Sequence, residues 1–141
     1  MDGIFFVVNV EAAIHKDGKW LLGKRSDQEY NPGTLSLVGG KVENVGIEED
    51  VLEEALKREI KEEVDIEIDN ELKYVKSSSF KGANQTVIDV VFLCKYKSGE
   101  AAPKDTEEIT EVKWMTLAEV LENDAVQSWT KDSLSKASKM I

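Results

Sequence analysis

The sequence predicts a mixed α/β sandwich, and three observations carry that prediction. Seven strand-like runs span the chain. One strong helical pattern interrupts them at about 48–64, and two further helical stretches close the chain. No repeat, low-complexity segment or linker divides residues 1–141, so they read as a single domain.

The elements follow in order. IFFVVNVEAAIH (4–15) is apolar and β-branched, then loosely alternating, as in a long strand. KDGK (16–19) carries Asp17-Gly18, a two-residue hairpin signal, and WLLGKR (20–25) is the returning strand. SDQEYNPG (26–33) is a polar loop closed by Pro32-Gly33, and LSLV (35–38) is a short strand running into Gly39-Gly40. From about Glu48 to Val64, the residues Val51, Leu52, Ala55, Leu56, Ile60 and Val64 recur at helical spacing. Asp50 or a nearby acid suits the positive end of that helix. DIEI (65–68), ELKYVKSSSF (71–80), TVIDVVFLCKYK (86–97) and EVKWMT (111–116) are strands. Thr116 is placed to cap a short helix over 117–123, and a last helix runs from about Ala125 to Lys139.

Composition excludes several classes. Apolar residues are 41% and charged residues 33%, as in a folded soluble protein. The longest apolar stretch, IFFVV, is too short to span a bilayer, so no membrane partner is expected. No basic region precedes a long apolar run, so no signal peptide is expected either. The single cysteine, Cys94, forbids an internal disulfide, and a cytoplasmic location fits. A net charge of −10 disfavours long nucleic acid, which needs a basic face. A small anionic ligand stays allowed if a cation bridges it to acidic side chains.

The unusual stretch is KREIKEEVDI (57–66). At 100° per residue, Glu59, Glu62 and Glu63 fall within an arc of about 100°. The rows Glu54–Arg58–Glu62 and Glu53–Lys57–Lys61 read as ordinary surface pairing. Glu59 and Glu63 are instead a like-charged i,i+4 pair, which costs an isolated helix about 0.2–0.5 kcal/mol. Their arc overlaps that of Leu52, Ala55 and Leu56. The same side is therefore apolar in the first turns and acidic in the last, as in a helix that packs on a core and then lines a cleft. Clustered carboxylates suit a hard cation such as Mg²⁺. Upstream, LSLVGGKVE (35–43) ends a strand in two glycines, which admit close backbone approach and leave carbonyl oxygens free as ligands.

Together, GGKVE and REIKEEVDI resemble the signature of the Nudix hydrolases, G-x5-E-x7-R-E-U-x-E-E-x-G-U with U a bulky aliphatic. Gly40 opens it, and Arg58, Glu59, Ile60, Glu62, Glu63 and Ile66 match its second half. The opening hairpin, the GKR before the loop and the late EVKWMTLAEV extend the likeness over most of the chain. Three departures stand out. Asp65 replaces a glycine, the stretch from Gly40 to Arg58 is four residues long in excess, and counting back from Arg58 puts Asp50 where a glutamate is expected, with Glu48 and Glu49 before it.

The resemblance implies an α/β/α sandwich with a mixed sheet, and Mg²⁺- or Mn²⁺-dependent hydrolysis of a pyrophosphate bond in a nucleoside diphosphate derivative. It implies Glu59 and Glu63 as principal metal ligands, Glu62 as ligand or base, and the Gly39 carbonyl in the shell. Arg58 would orient the glutamates, and Arg25, Gly40 and Tyr30 would contact substrate. Either Glu107 or Glu108 is a candidate late ligand. Dinucleoside polyphosphate or cap hydrolysis, and nucleotide sensing without cleavage, are the alternatives. Many members are dimers, so the resemblance leaves a homodimer open. His15 reads as a surface residue, Cys94 as a buried inert thiol, and Trp20, Trp114 and Trp129 as core or helix-docking residues.

Overall fold

The computed structural model of the protein describes residues 3–43 and 48–141. The excess length between Gly40 and Arg58 falls partly on 44–47, outside the described residues. The elements are β1 (Phe6–Lys16), β2 (Lys19–Arg25), β3 (Leu35–Ser36), β4 (Val38–Lys41), α1 (Val51–Val64), β5 (Glu67–Ile68), β6 (Lys73–Lys81), β7 (Thr86–Ser98), β8 (Ile109–Met115), α2 (Leu117–Glu122) and α3 (Ser128–Ser138).

β1 organises the sheet by changing partners along its length. It runs parallel to β7 from Phe6 to His15, antiparallel to β4 over Asn9–Ala12, and turns into β2 at its end. The turn holds Asp17 and Gly18 at φ 50° and 77°, the positive values a two-residue hairpin requires. β2 carries β3 and β8, and β7 carries β5 and β6. One parallel pair among antiparallel ones makes the sheet mixed, as expected.

β1 is apolar on both sides because both sides are covered. Val10, Ala12 and Ile14 join the core under α1, with Leu56, Ile60 and Val64. Ala13 points the other way, into a core with Leu22, Val120 and Leu134 from β2, α2 and α3. The layers are thus α1, sheet, then α2 with α3. Each fully buried aliphatic of α1 contributes about 1.5–3 kcal/mol relative to exposure. Truncating Ile60 to alanine would cost about 2–5 kcal/mol and loosen the helix from the sheet.

Local chemistry shifts several expected boundaries. α1 starts at Val51 because Asp50 stands at φ 53°, outside helical geometry, while its carbonyl accepts from Glu54 N–H. LSLV divides at Leu37, because β3 pairs with β2 and β4 with β1. DIEI is strand only from Glu67, since Asp65 belongs to the helix cap. The last helix begins at Ser128, because Ala125 accepts from Leu35 N–H and Val126 bridges to Leu35. Thr116 caps α2 as expected, in a reciprocal box with Glu119.

The surface pairing of α1 also differs from its wheel. Lys57 pairs with Glu54 at 3.7 Å, Arg58 turns to Glu59, and Lys61 turns to Asp65 and Glu67 beyond the helix. Cys94 is fully buried and its thiol is pushed up to about 12 by that burial, so it is inert. Trp20 is in the core, while Trp129 is 54% exposed and outside it. His15 packs on Trp20 at 4.8 Å between ring centres. Among the described residues, no helix is long and apolar enough to cross a membrane.

Candidate active site

The two adjacent glycines of β4 face opposite sides of the sheet. Val42 N–H donates to Val8 O, so hydrogen-bonded pairs recur at Gly40/Val10 and Val38/Ala12. Gly39, between them, turns its N–H and C=O away from β1. A β-carbon there would sit 2.0 Å from Val10 O, so only glycine fits against β1. A β-carbon on Gly40 would meet the Glu59 carboxylate at 2.6 Å. The Glu59 head group therefore lies directly over Gly40, on the α1 side.

One turn later, Glu63 is 5% exposed and buried behind Glu59. Its carboxyl takes a hydrogen bond from the Gly39 backbone and meets the Glu108 carboxyl. Its Oε2 has no hydrogen-bond partner among the described residues. Burial, and then Glu108, hold its pKa well above the usual carboxylate range. Burial and then Glu62 push Glu59 up to about 7, with Glu108 and Glu43 adding and Arg58 opposing. Glu62 is exposed at the rim.

The loop before β8 brings Glu108, not Glu107, to this cluster. Lys104 N–H donates to Glu63 O at the end of α1, and Ser26 N–H donates to Glu108 O at the end of β2. Ser26 Oγ donates to the Glu107 carbonyl. With Ile109 buried as the first residue of β8, the loop has little freedom, and Glu108 is held toward Glu63. Asp50 lies nine residues before Glu59, about 13 Å along the helix, and its side chain makes no cap.

Asp65 takes the conformation its glycine counterpart would take. At φ 55° and ψ 46° it is left-handed, and its N–H donates to the Ile60 and Lys61 carbonyls, closing the helix. Lys61 Nζ lies 2.9 Å from its carboxylate. α1 therefore ends where Glu63 needs it to.

Arg58 Nη2 is 3.7 Å from Glu59 Oε1, an ion pair too long for a hydrogen bond. Arg25 Nε donates to Tyr30 O at 2.6 Å and its Nη2 lies 3.6 Å from Glu29, so it ties down the 26–33 loop. The Tyr30 side chain is 81% exposed. No contact joins it to the carboxylates among the described residues.

A second polar group was not expected from the sequence. On the opposite side of β1, Asn9 Nδ2 donates to Asp89 Oδ1 at 2.7 Å, and the Glu11 carboxyl hydrogen-bonds Asp89. Burial and Asp89 raise the Glu11 pKa, with Arg25 and Lys76 opposing. Glu11 lies opposite Gly39 in the register. The sequence signal was the polar pair Asn9 and Glu11, two residues apart in an otherwise apolar strand.

Two cavities of 670 and 650 Å³ lie away from the carboxylates, one by His15 and Cys94, the other by Phe6 and the β6–β7 turn. Among the described residues, no three His, Cys, Asp or Glu side chains stand as a ready-made metal cage. A cation that keeps several waters needs only one or two carboxylates, and the orphan Glu63 oxygen and the crowded Glu59 fit such an ion.

Comparison with known proteins places this geometry. The NUDIX domain family matches residues 6–136. A MutT NUDIX hydrolase from Burkholderia pseudomallei has 26% identity and a TM-score of 0.78, covering 92% of this chain and 96% of that one. The MutT protein from Methanosarcina mazei Go1 has 23% identity and a TM-score of 0.78, covering 99% and 98%. The NUDIX domain of Shewanella oneidensis NrtR, solved with ADP ribose, has 19% identity and a TM-score of 0.78, covering 96% and 88%. The last two likenesses are of fold alone. Comparison with curated proteins gives no match.

Proposed function

The chain belongs to the NUDIX family of pyrophosphohydrolases, and on that premise we propose that it cleaves the pyrophosphate bond of a nucleoside diphosphate derivative with a divalent cation, Mg²⁺ or Mn²⁺. The substrate class spans nucleoside triphosphates, nucleotide sugars and ADP-ribose, the last retained because one structural neighbour binds it. The observation that carries the reading is Glu63: a buried carboxylate with an unpartnered oxygen, pressed against Glu108 and close to Glu59.

Glu59 and Glu63 would hold the cation, with the outward carbonyl of Gly39 and the rim carboxylate of Glu62 assisting, and Glu108 joining from its loop. When bound, the cation supplies charge neutralisation on the phosphate oxygens and acidifies water. Glu62, exposed at the mouth, is placed to take the proton of an attacking water. Arg58, beside Glu59, would favour the ionised form of that carboxylate against the burial that raises it. Gly40 leaves room for that carboxylate, so its role is to admit Glu59 rather than to touch substrate. Arg25 fixes the 26–33 loop and offers positive charge beside Gly39. Tyr30, exposed on the same loop, would meet the substrate's far end.

The test is a panel of nucleoside diphosphate derivatives with Mg²⁺ or Mn²⁺, read as phosphate released after adding phosphatase. Turnover of at least one, lost in Glu63→Gln, is the expected result. Binding without turnover across the panel would make the chain a nucleotide sensor instead.

A further inference from the structure

The Phe6 end of the sheet runs out into an uncovered arm. Residues 3–5 continue past Phe6–Thr86, the first pair of β1 with β7, and no strand lies beside them among the described residues. Three large apolar side chains stand there in succession: Ile4 is 84% exposed, Phe5 81% and Phe6 46%. Next to them the chain turns from β6 into β7, where Gly82 N–H donates to Gln85 O and closes a hairpin of small and polar residues. Between the two lies the 650 Å³ cavity, walled by Phe5, Phe6 and Val7 on one side and by residues 81–86 on the other. One end of the molecule thus carries both an apolar projection and a groove with an apolar wall.

Area and charge select what covers this end. Phe80, 53% exposed on β6 in the row of Val87 and Val7, extends the apolar surface. At about 200 Å² per large side chain, Ile4, Phe5, Phe6 and Phe80 together present roughly 500 Å² per copy. That is more than half of the ~800 Å² each partner contributes to a stable interface, and the groove walls add to it. Residues 3–10 and 82–88 hold no charged side chain, in a chain with 28 acidic residues and a net charge of −10. Lys81 is the one charge lining the groove among the described residues. An anionic bilayer is held by clusters of basic residues, and a single lysine does not make one. A second copy is repelled wherever acid faces acid, and these two segments set no acid against it.

We propose that two copies of the chain pair through this end, the Ile4–Phe5 arm of each lying in the groove of the other. The same patch carries both halves of the contact, so a two-fold axis satisfies both at once and closes the assembly at a dimer. An arm does not fill its own groove, because Phe5 already forms part of that wall. Phe5 is the anchor of the contact, and Ala83 in the turn is the rim it meets. The interface uses none of the α1 carboxylates, so it holds whether or not the chain cleaves a pyrophosphate.

The test is sedimentation velocity of the full chain over a wide concentration range, for wild type, Phe5→Asp, Ala83→Lys and Trp129→Asp. Wild type should sediment as a dimer. Phe5→Asp charges the arm and Ala83→Lys charges the groove, and each alone should weaken the dimer at least about 30-fold. Both positions are exposed, so the fold is spared, and an unchanged circular dichroism spectrum checks this. Mixed together, the two variants should pair again, since one contact is intact and Asp meets Lys in the other. Trp129→Asp, at an exposed aromatic on α3, should leave the dimer as it is. A wild type that is monomeric at every concentration, a Phe5→Asp variant as dimeric as wild type, or a mixture that does not pair again overturns the proposal. So does a monomeric wild type that co-sediments with phosphatidylglycerol vesicles, which would make the arm a lipid anchor.

Discussion

Both faces of the β1–β4 pair carry a carboxyl that burial and a neighbouring carboxyl hold above the usual range, but the partners differ. On the α1 side, Glu59, Glu63 and Glu108 crowd together, opposed by Arg58 at Glu59 and by the Gly39 backbone at Glu63, and Glu63 keeps an oxygen without a partner among the described residues. On the other side, Glu11 and Asp89 are met by Asn9, Arg25 and Lys76. The first set is incomplete without a cation. The second leaves no buried side-chain oxygen or nitrogen without a partner among the described residues. Adjacent glycines, Gly39 and Gly40, separate the two, and that is how one short strand can serve both.

The largest effect should come from breaking the incomplete face. Glu63→Gln is expected to lower kcat by about 10²–10⁴-fold, measured at saturating Mg²⁺. Held at about 10 by burial and Glu108, Glu63 is mostly protonated in the metal-free protein at pH 8, so Glu63→Gln should leave the metal-free melting temperature close to that of wild type. An equal rate would mean that Glu63 is a packing residue.

Next in size is the response of metal-free stability to pH. Glu59 ionises near 4.5 when unfolded and near 7 when folded. A raised folded value means that the stability it contributes is complete below about pH 4.5 and is lost as pH rises through about 7. The loss is on the order of 3 kcal/mol, and Glu63 continues the trend above that range. Denaturant unfolding in EDTA should fall in stability from pH 5 to 8, and added Mg²⁺ should reverse it. Glu59→Gln should flatten the curve between pH 5 and 7.

The glycines should then fail differently. Gly39→Ala drives a β-carbon into the Val10 carbonyl, which cannot yield, and should destabilise the protein by about 1–3 kcal/mol or more. Gly40→Ala meets only the movable head of Glu59. It should spare the melting temperature and slow turnover on the order of tenfold to a hundredfold. Equal losses of stability in both would contradict the division into two faces.

The smallest effect should be at Asp65. Asp65→Gly removes left-handed strain of roughly 1–2 kcal/mol, but loses an exposed contact to Lys61 and adds chain entropy to the unfolded state. Stability should change by less than about 1 kcal/mol, and turnover should be unchanged.

Much of this was legible in the sequence. The helical period around Leu56 and Ile60, and the clash of Glu59 with Glu63, are local signals, and they located the acidic helix. The twin glycines after Val38 marked where backbone and carboxylate meet. Long-range placement was not legible. Choosing Glu108 over Glu107 depends on loop anchors at Ser26 and Glu63, far apart in the chain. The Asn9–Asp89 bond spans 80 residues and follows from the parallel β1–β7 register, which no periodicity encodes. Boundaries moved where one residue's backbone decided them, as at Asp50 and Asp65.

The central claim is that α1 and β4 hold a divalent cation through Glu63. It is tested most directly by titrating Mn²⁺ into wild type and Glu63→Gln at pH 8, following water-proton relaxation together with proton release. Wild type should bind the ion and release protons as its raised carboxylates give them up, and Glu63→Gln should bind at least about tenfold more weakly with less release. Equal affinity and equal proton release in the two proteins would contradict the account.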